Sequence, residues 1–159
     1  MADLIVINTG PLISLSRAKL LEPVGRLPLD FICPAEVCRE IEAGMGAGYP
    51  AARPAWVRPV ALSAPLDPVA LAALDLGEAA VIQLALEQGA SRVCIDERKG
   101  RHAALAVGLR VTGALGLLAR ARELGLIPAL RPAIDRIRRE GAFYAEDLVC
   151  EVLRGVGEQ

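Results

Sequence analysis

The sequence LIVINTGPLISL, residues 4–15, decides the fold class. It begins with an apolar run over residues 4–7 that does not alternate with polar residues, as is typical of a buried central strand in a parallel sheet. Asn8, Thr9 and Gly10 interrupt the run, and Pro11 suits the first position of a helix, with Thr9 or Gly10 near the cap. We therefore predict a strand followed directly by a helix, in which Asn8 either caps the helix or belongs to a functional site.

Short apolar runs alternate with helical patterns along the rest of the chain. Four further strands are predicted, at residues 30–33, 56–62, 92–95 and 109–112, and Pro59 restricts the second of these to a sheet edge. Helices are predicted at residues 14–21 (ending at Pro23), 35–43, 78–88, 97–107, 114–124, 129–139 and 145–153, with a short helix from Asp67 and a loop over residues 45–54. This alternation predicts an α/β fold, a parallel sheet with helices on both faces.

The bulk composition indicates one globular domain over residues 1–159. That length is enough for a sizeable core, the net charge is −1, and hydrophobic residues make up 53% of the chain. No apolar run approaches the ~18 residues that a membrane-spanning helix needs, and the first residues lack the pattern of a signal peptide. We expect a cytoplasmic protein with no membrane association.

Several kinds of site are disfavoured. The four cysteines (Cys33, Cys38, Cys94 and Cys150) are scattered without a C-x-x-C pair or a nearby His, so we expect small hydrophobic thiols and no zinc site. The phosphate-binding glycine motifs and G-x-S-x-G are absent. The aromatic content of 3% argues against a base-stacking platform. His102 follows a basic segment and is expected at the surface.

Four side chains map to one edge of the predicted sheet. Asn8 ends the first strand, Asp96 ends the fourth, and Glu40 and Glu78 lie on or beside the apolar faces of their helices. Each alone has a simpler interpretation: Asn8 and Asp96 as helix caps, Glu78 as a charge at a positive helix end, and Glu40 as a solvated residue. Together, carboxylates without Cys or His partners predict a Mg²⁺ or Mn²⁺ site for phosphate chemistry.

The chain resembles PIN-domain proteins in five segments: VINTGPLI, PAEVCREI, LDLGEAAVIQLAL, VCIDERKGR and VTGALGLLARARELGLI. It is similar to the small prokaryotic PIN-like proteins grouped with VapC-type toxins. The resemblance covers a core of about residues 4–127, and the helices of about residues 128–157 fit that subgroup as an extension. It implies a three-layer α/β/α sandwich with a five-stranded parallel sheet, and Mg²⁺- or Mn²⁺-dependent cleavage of single-stranded RNA.

The resemblance also implies which residues act. The catalytic and metal-binding set falls on Asn8, Glu40, Glu78 and Asp96, but the family has an aspartate where this chain has Asn8. Asn8 keeps an oxygen ligand and removes one negative charge, and Glu97 is a candidate replacement. Two threonines that border the crevice, Thr9 and Thr112, are expected to contact the nucleic acid. Three basic residues are also candidates for contacts with the RNA backbone, although they could equally form a solvated helix face: Arg98, Lys99 and Arg101.

Two functions from different classes remain open. In one, the protein is an endoribonuclease, the toxin of a toxin–antitoxin pair, whose partners are an RNA substrate, a cognate antitoxin and a second copy of itself. In the other, Asn8 has disabled the site, and the protein is a non-catalytic module that binds RNA or a protein partner.

Overall fold

The computed structural model of the protein describes residues 2–39 and 54–159. Within these residues the sheet has five strands, all paired in parallel. The strands are β1 (Asp3–Ile7), β2 (Leu29–Pro34), β3 (Val57–Val60), β4 (Arg92–Cys94) and β5 (Arg110–Thr112). The strand order is β3-β2-β1-β4-β5, which confirms the predicted parallel sheet and places the Pro59 strand at an edge.

The central position of β1 follows from its sequence. Ile5, Val6 and Ile7 are fully buried, because the strand has neighbours on both sides and helices over both faces. The chain runs from β1 outward to β2 and β3 and then returns to place β4 on the other side of β1. The strand order therefore reverses between β1 and β4. In open α/β sheets, ligands bind beyond the carboxyl ends of the strands at such a reversal.

Helices form the two outer layers of the α/β/α sandwich. The helices are α1 (Thr9–Arg17), α2 (Leu21–Gly25), α3 (residues 35–39), α4 (Pro68–Ala73), α5 (Leu76–Gln88), α6 (Arg98–Ala106), α7 (Ala114–Glu123), α8 (Leu130–Arg139) and α9 (Glu146–Gly155). α5 packs on β1, β2 and β4 and contacts α4 and α6, whereas α7 contacts α1 and α2 in the other layer. α8 and α9 contact α7 as a C-terminal extension.

Both proline-based helix boundaries were predicted wrongly. Pro11 is the third residue of α1 rather than the first, and Asn8 is the N-cap residue. α1 ends at Arg17, Lys19 takes a left-handed φ of 58°, and Pro23 lies inside the first turn of α2 instead of ending a helix. The reason is the same in both cases: the first-turn N–H groups of a helix have no intrahelical partner, so proline is tolerated throughout that turn.

The prediction of four free thiols is also wrong. Cys33 at the end of β2 and Cys38 in α3 form a disulfide across a separation of five residues, whereas Cys94 is buried and Cys150 is exposed. Three predicted features lie wholly or partly outside the described residues: Glu40, residues 40–43 of the helix predicted at 35–43, and residues 45–53 of the loop predicted at 45–54. Within residues 2–39 and 54–159, each helix is too short or too polar to cross a bilayer.

Candidate active site

A polar cavity of about 270 Å³ lies at the carboxyl ends of β1 and β4, where the strand order reverses. We call it the acidic cavity. Its walls come from the β1–α1 junction, the N-terminus of α5 and the segment between β4 and α6. The polar groups that line it include those of Asn8, Thr9, Asp75, Asp96 and Glu97.

Asn8 is the N-cap residue of α1, but its side chain makes no capping hydrogen bond. Its backbone N–H donates to the Cys94 carbonyl at 3.0 Å, which ties the end of β1 to the end of β4. The side chain is only 7% exposed, and Oδ1 is buried without a hydrogen-bond partner. A buried acceptor left unpaired costs about 1–3 kcal/mol, so an oxygen held in this way at a cavity wall is a candidate ligand atom.

Asp96 follows β4 and is fixed by the start of α7. Its Oδ1 accepts a 3.0 Å hydrogen bond from the Ala114 N–H, and it lies so close to the Cα of Gly113 that a Cβ there would overlap it. Burial raises the pKa of the Asp96 carboxyl, while the Ala114 N–H and the positive charge of Arg101 oppose that rise. Asp96 thus caps a helix other than its own, and it also lines the acidic cavity.

Glu78 is not among the residues that line the acidic cavity. α5 begins at Leu76 rather than at the predicted Glu78, and Asp75 is its N-cap residue. Asp75 Oδ1 accepts from the Glu78 N–H at 2.7 Å, and Glu78 Oε1 accepts from the Asp75 N–H at 3.3 Å, forming a capping box. Desolvation raises the pKa of the Glu78 carboxyl, and the adjacent Asp75 charge adds to the rise. Its Oε2 is buried without a partner, close to the backbone of Gly100.

Asp75 is the acidic residue that sequence reasoning missed. It lines the acidic cavity together with Asn8 and Asp96. Glu78 is hydrogen-bonded to Asp75 in the capping box. The sequence did carry a signal, because Asp75 and Glu78 have the three-residue separation of a capping box ahead of an apolar helix. The fourth predicted acid, Glu40, lies outside the described residues.

The predicted nucleic-acid contacts divide into two groups. Thr9 lines the acidic cavity, and Thr112 and Arg101 line a larger neighbouring cavity of about 760 Å³. Arg101 is partly committed, because its Nη1 donates to the Ile95 carbonyl at 2.8 Å. Arg98 and Lys99 are exposed in the first turn of α6 and are not among the residues that line these two cavities.

The donor set fits a hard divalent cation in part. Among residues 2–39 and 54–159, no three His, Cys, Asp or Glu side chains converge closely enough to hold a metal ion. Mg²⁺, however, is commonly bound by one or two carboxylates, with water and substrate phosphate completing its shell. Asp75, Asp96 and Asn8, whose side chains carry carboxylate and amide oxygens of that kind, line one cavity.

The fold and the cavity define an α/β protein with its functional edge at the carboxyl ends of a parallel sheet. Sequence comparison then identifies the family. The sequence model of the PIN domain matches residues 4–158, so the chain belongs to the PIN-domain family, and the match includes the C-terminal extension. A comparison with curated proteins gave no significant match. PIN-domain membership implies nucleic-acid binding, suggests nuclease activity in general and is generally accompanied by divalent-metal dependence.

Proposed function

We propose that this protein is a Mg²⁺- or Mn²⁺-dependent endoribonuclease that cleaves single-stranded RNA at the acidic cavity. One observation supports the proposal above all. Asn8, whose Oδ1 is buried and unpaired, lines the same cavity as Asp75 and Asp96, where the strand order reverses. When bound there, the metal would polarise the scissile phosphate and lower the pKa of the attacking water.

In this proposal the protein side chains have distinct tasks. Asp96 presents a carboxylate that is held by the Ala114 N–H, and Asn8 presents an amide on a backbone that its own N–H ties to the Cys94 carbonyl. Asp75 adds a carboxylate whose direction is set by the capping box with Glu78. Glu78 would therefore act as a positioning residue, and its raised pKa reflects that buried place.

Two further acids complete the proposed set. Glu97 lines the acidic cavity and makes no side-chain capping bond at the start of α6, so it is available as the replacement for the carboxylate that Asn8 lacks. Glu40 is retained in the proposed set on the family resemblance alone.

Basic residues near the cavity would bind the RNA backbone. Arg98 and Lys99 are exposed on α6, and Arg101 reaches the neighbouring cavity. Thr9 and Thr112 would add hydroxyl contacts to the phosphates. Each cation that neutralises a phosphate makes the affinity for RNA fall with rising salt.

The biological role follows the resemblance to VapC-type proteins. We propose a toxin that forms a homodimer and is neutralised by a cognate antitoxin. Induced expression should then stop bacterial growth with the wild-type protein but not with Asp96→Asn.

A non-catalytic RNA- or partner-binding module is the second candidate function. The amide at Asn8 favours it, because it removes a negative charge from a site that has to hold a cation.

RNA cleavage distinguishes these two functions. A labelled single-stranded RNA is incubated with Mg²⁺ or Mn²⁺ and with wild-type, Asn8→Asp or Asp96→Asn protein. Asp135→Asn serves as the control, because Asp135 is exposed on α8. We expect wild-type cleavage that EDTA abolishes and that Asp96→Asn lowers by about 10–100-fold or more. Cleavage only by Asn8→Asp would establish the binding module, and undiminished cleavage by Asp96→Asn would refute the assigned site.

A further inference from the structure

The larger cavity of about 760 Å³ adjoins the acidic cavity. Both are lined by Gly10, Asp96 and Glu97, so neighbouring nucleotides of one strand could occupy the two cavities. We call the larger cavity the aromatic groove. Its far wall is formed by α9 and by the turn between α8 and α9, residues 141–145.

Aromatic residues are scarce in this chain, which has two Phe, two Tyr and one Trp. Phe31 and Trp56 contact each other edge to face at the core, with ring centroids 4.9 Å apart. Phe143 and Tyr144 both line the aromatic groove, and Phe143 is 90% exposed. Leaving a Phe side chain in water forgoes about 1.5–3 kcal/mol of burial free energy, so a ligand that covered this ring would recover part of that free energy.

The turn that carries these rings is held in place before any ligand arrives. Gly141 takes a φ of 101°, and its N–H donates to the Arg138 carbonyl at 3.1 Å. Arg138 Nη2 donates to the Glu146 carboxylate at 2.7 Å and to the Tyr144 carbonyl at 3.4 Å. A ring on such a turn loses little conformational freedom on binding, which favours affinity.

The chemistry of the walls indicates what the groove accepts. Leu115, Leu148 and Val152 give it an apolar side, whereas Arg101 and Thr112 give it a polar side next to Asp96. Tyr144 also lines the groove. Burial and the negative charge of Asp96 raise the pKa of its hydroxyl. Aromatic rings and a guanidinium lining one groove are a combination that binds one nucleotide of a single strand, with the base stacked and the phosphate paired.

We propose that the aromatic groove is a nucleobase subsite for single-stranded RNA, in which Phe143 stacks on the base of a nucleotide adjacent to the one at the acidic cavity. The proposal rests on the proposed function for its ligand. It adds a binding role for the C-terminal extension, which the acidic cavity does not use.

The test measures RNA binding without cleavage. Fluorescence anisotropy of a labelled single-stranded hexaribonucleotide is titrated with the full chain in EDTA. We expect Phe143→Ala to weaken binding by about 5–100-fold and Phe143→Trp to preserve it. Val69→Ala is the control, because Val69 is 77% exposed on α4 and should leave the affinity unchanged.

Sedimentation and cleavage assays separate the remaining outcomes. The proposal is overturned if wild-type protein does not bind the RNA or if Phe143→Ala binds it as well as wild type. It is also overturned if Phe143→Ala changes the sedimentation coefficient and leaves RNA affinity intact, which would make the groove a contact face between copies. Phe143-dependent binding without any metal-dependent cleavage would support the subsite and refute the nuclease.

Discussion

Gly113→Ala should destabilise the protein by pushing Asp96 out of place. Gly113 has an extended backbone with φ −139°, so alanine fits its conformation. A Cβ there would overlap Asp96 Oδ1 and lie 3.1 Å from Arg101 Nη1. The carboxylate must therefore move and lose its 3.0 Å bond from the Ala114 N–H.

The magnitude follows from two opposing contributions. A hydrogen bond to a charged group contributes about 1.5–3 kcal/mol to stability, and that contribution is lost. Replacing glycine by alanine stabilises the protein by about 0.4–1 kcal/mol, because it lowers the entropy of the unfolded chain. The net loss in the free energy of unfolding is about 1–2 kcal/mol, or about 2–8 °C in Tm for a chain of this length. Urea unfolding followed by circular dichroism measures it, provided that the m-value is unchanged.

A double-mutant cycle assigns the loss to Asp96. In an Asp96→Ala background there is no oxygen to displace, so Gly113→Ala should be neutral or stabilising by up to about 1 kcal/mol. Gly155→Ala is the matched control, because a Cβ on Gly155 would meet no atom within 4 Å. An equal loss in both backgrounds would show that the alanine does not act through Asp96, and the close approach between Gly113 and the carboxylate would then be refuted.

Two further predictions concern the rest of the fold. Because burial raises the pKa of Glu78, the folded state retains its proton above the usual pKa of about 4.3, so stability should fall as pH rises from about 4 through the raised pKa. Glu78→Gln should remove this component from the pH profile of urea unfolding, and an unchanged profile would contradict the assignment. Gly25→Ala should cost about 1–3 kcal/mol, because its Cβ would overlap the Trp56 indole. A Tm equal to that of wild type would show that the indole moves aside without a loss of stability.

The sequence predicted those parts of the fold and site that depend on local pattern. The unbroken apolar run of residues 4–7 required a strand buried on both faces, and the polar residue after it had to lie at a carboxyl edge. The same reasoning placed Asp96 after β4. Both side chains lie at the acidic cavity because parallel strands share one edge.

Features that depend on long-range packing could not be predicted in this way. Residues 141–145 approach Asp96 only because α8 and α9 pack against α7, and no periodicity in the sequence reports that contact. Asp75 takes the N-cap position at the cavity because α5 begins at Leu76, two residues earlier than its apolar pattern indicated. The Cys33–Cys38 disulfide likewise depends on how α3 leaves β2.

The rate of RNA cleavage as a function of Mn²⁺ concentration tests the acidic cavity most directly, with wild-type, Asn8→Asp and Asp96→Asn proteins compared. If the cavity is a metal-dependent nuclease centre, wild type cleaves and Asn8→Asp reaches its half-maximal rate at a Mn²⁺ concentration about 10-fold lower or less, because it adds a negative charge to the cavity. Asp96→Asn should lose most of the activity at every Mn²⁺ concentration. Two results would contradict the assignment of the acidic cavity as a nuclease centre. One is the same Mn²⁺ dependence of the cleavage rate for wild-type and Asp96→Asn proteins, and the other is no cleavage by wild type at any Mn²⁺ concentration.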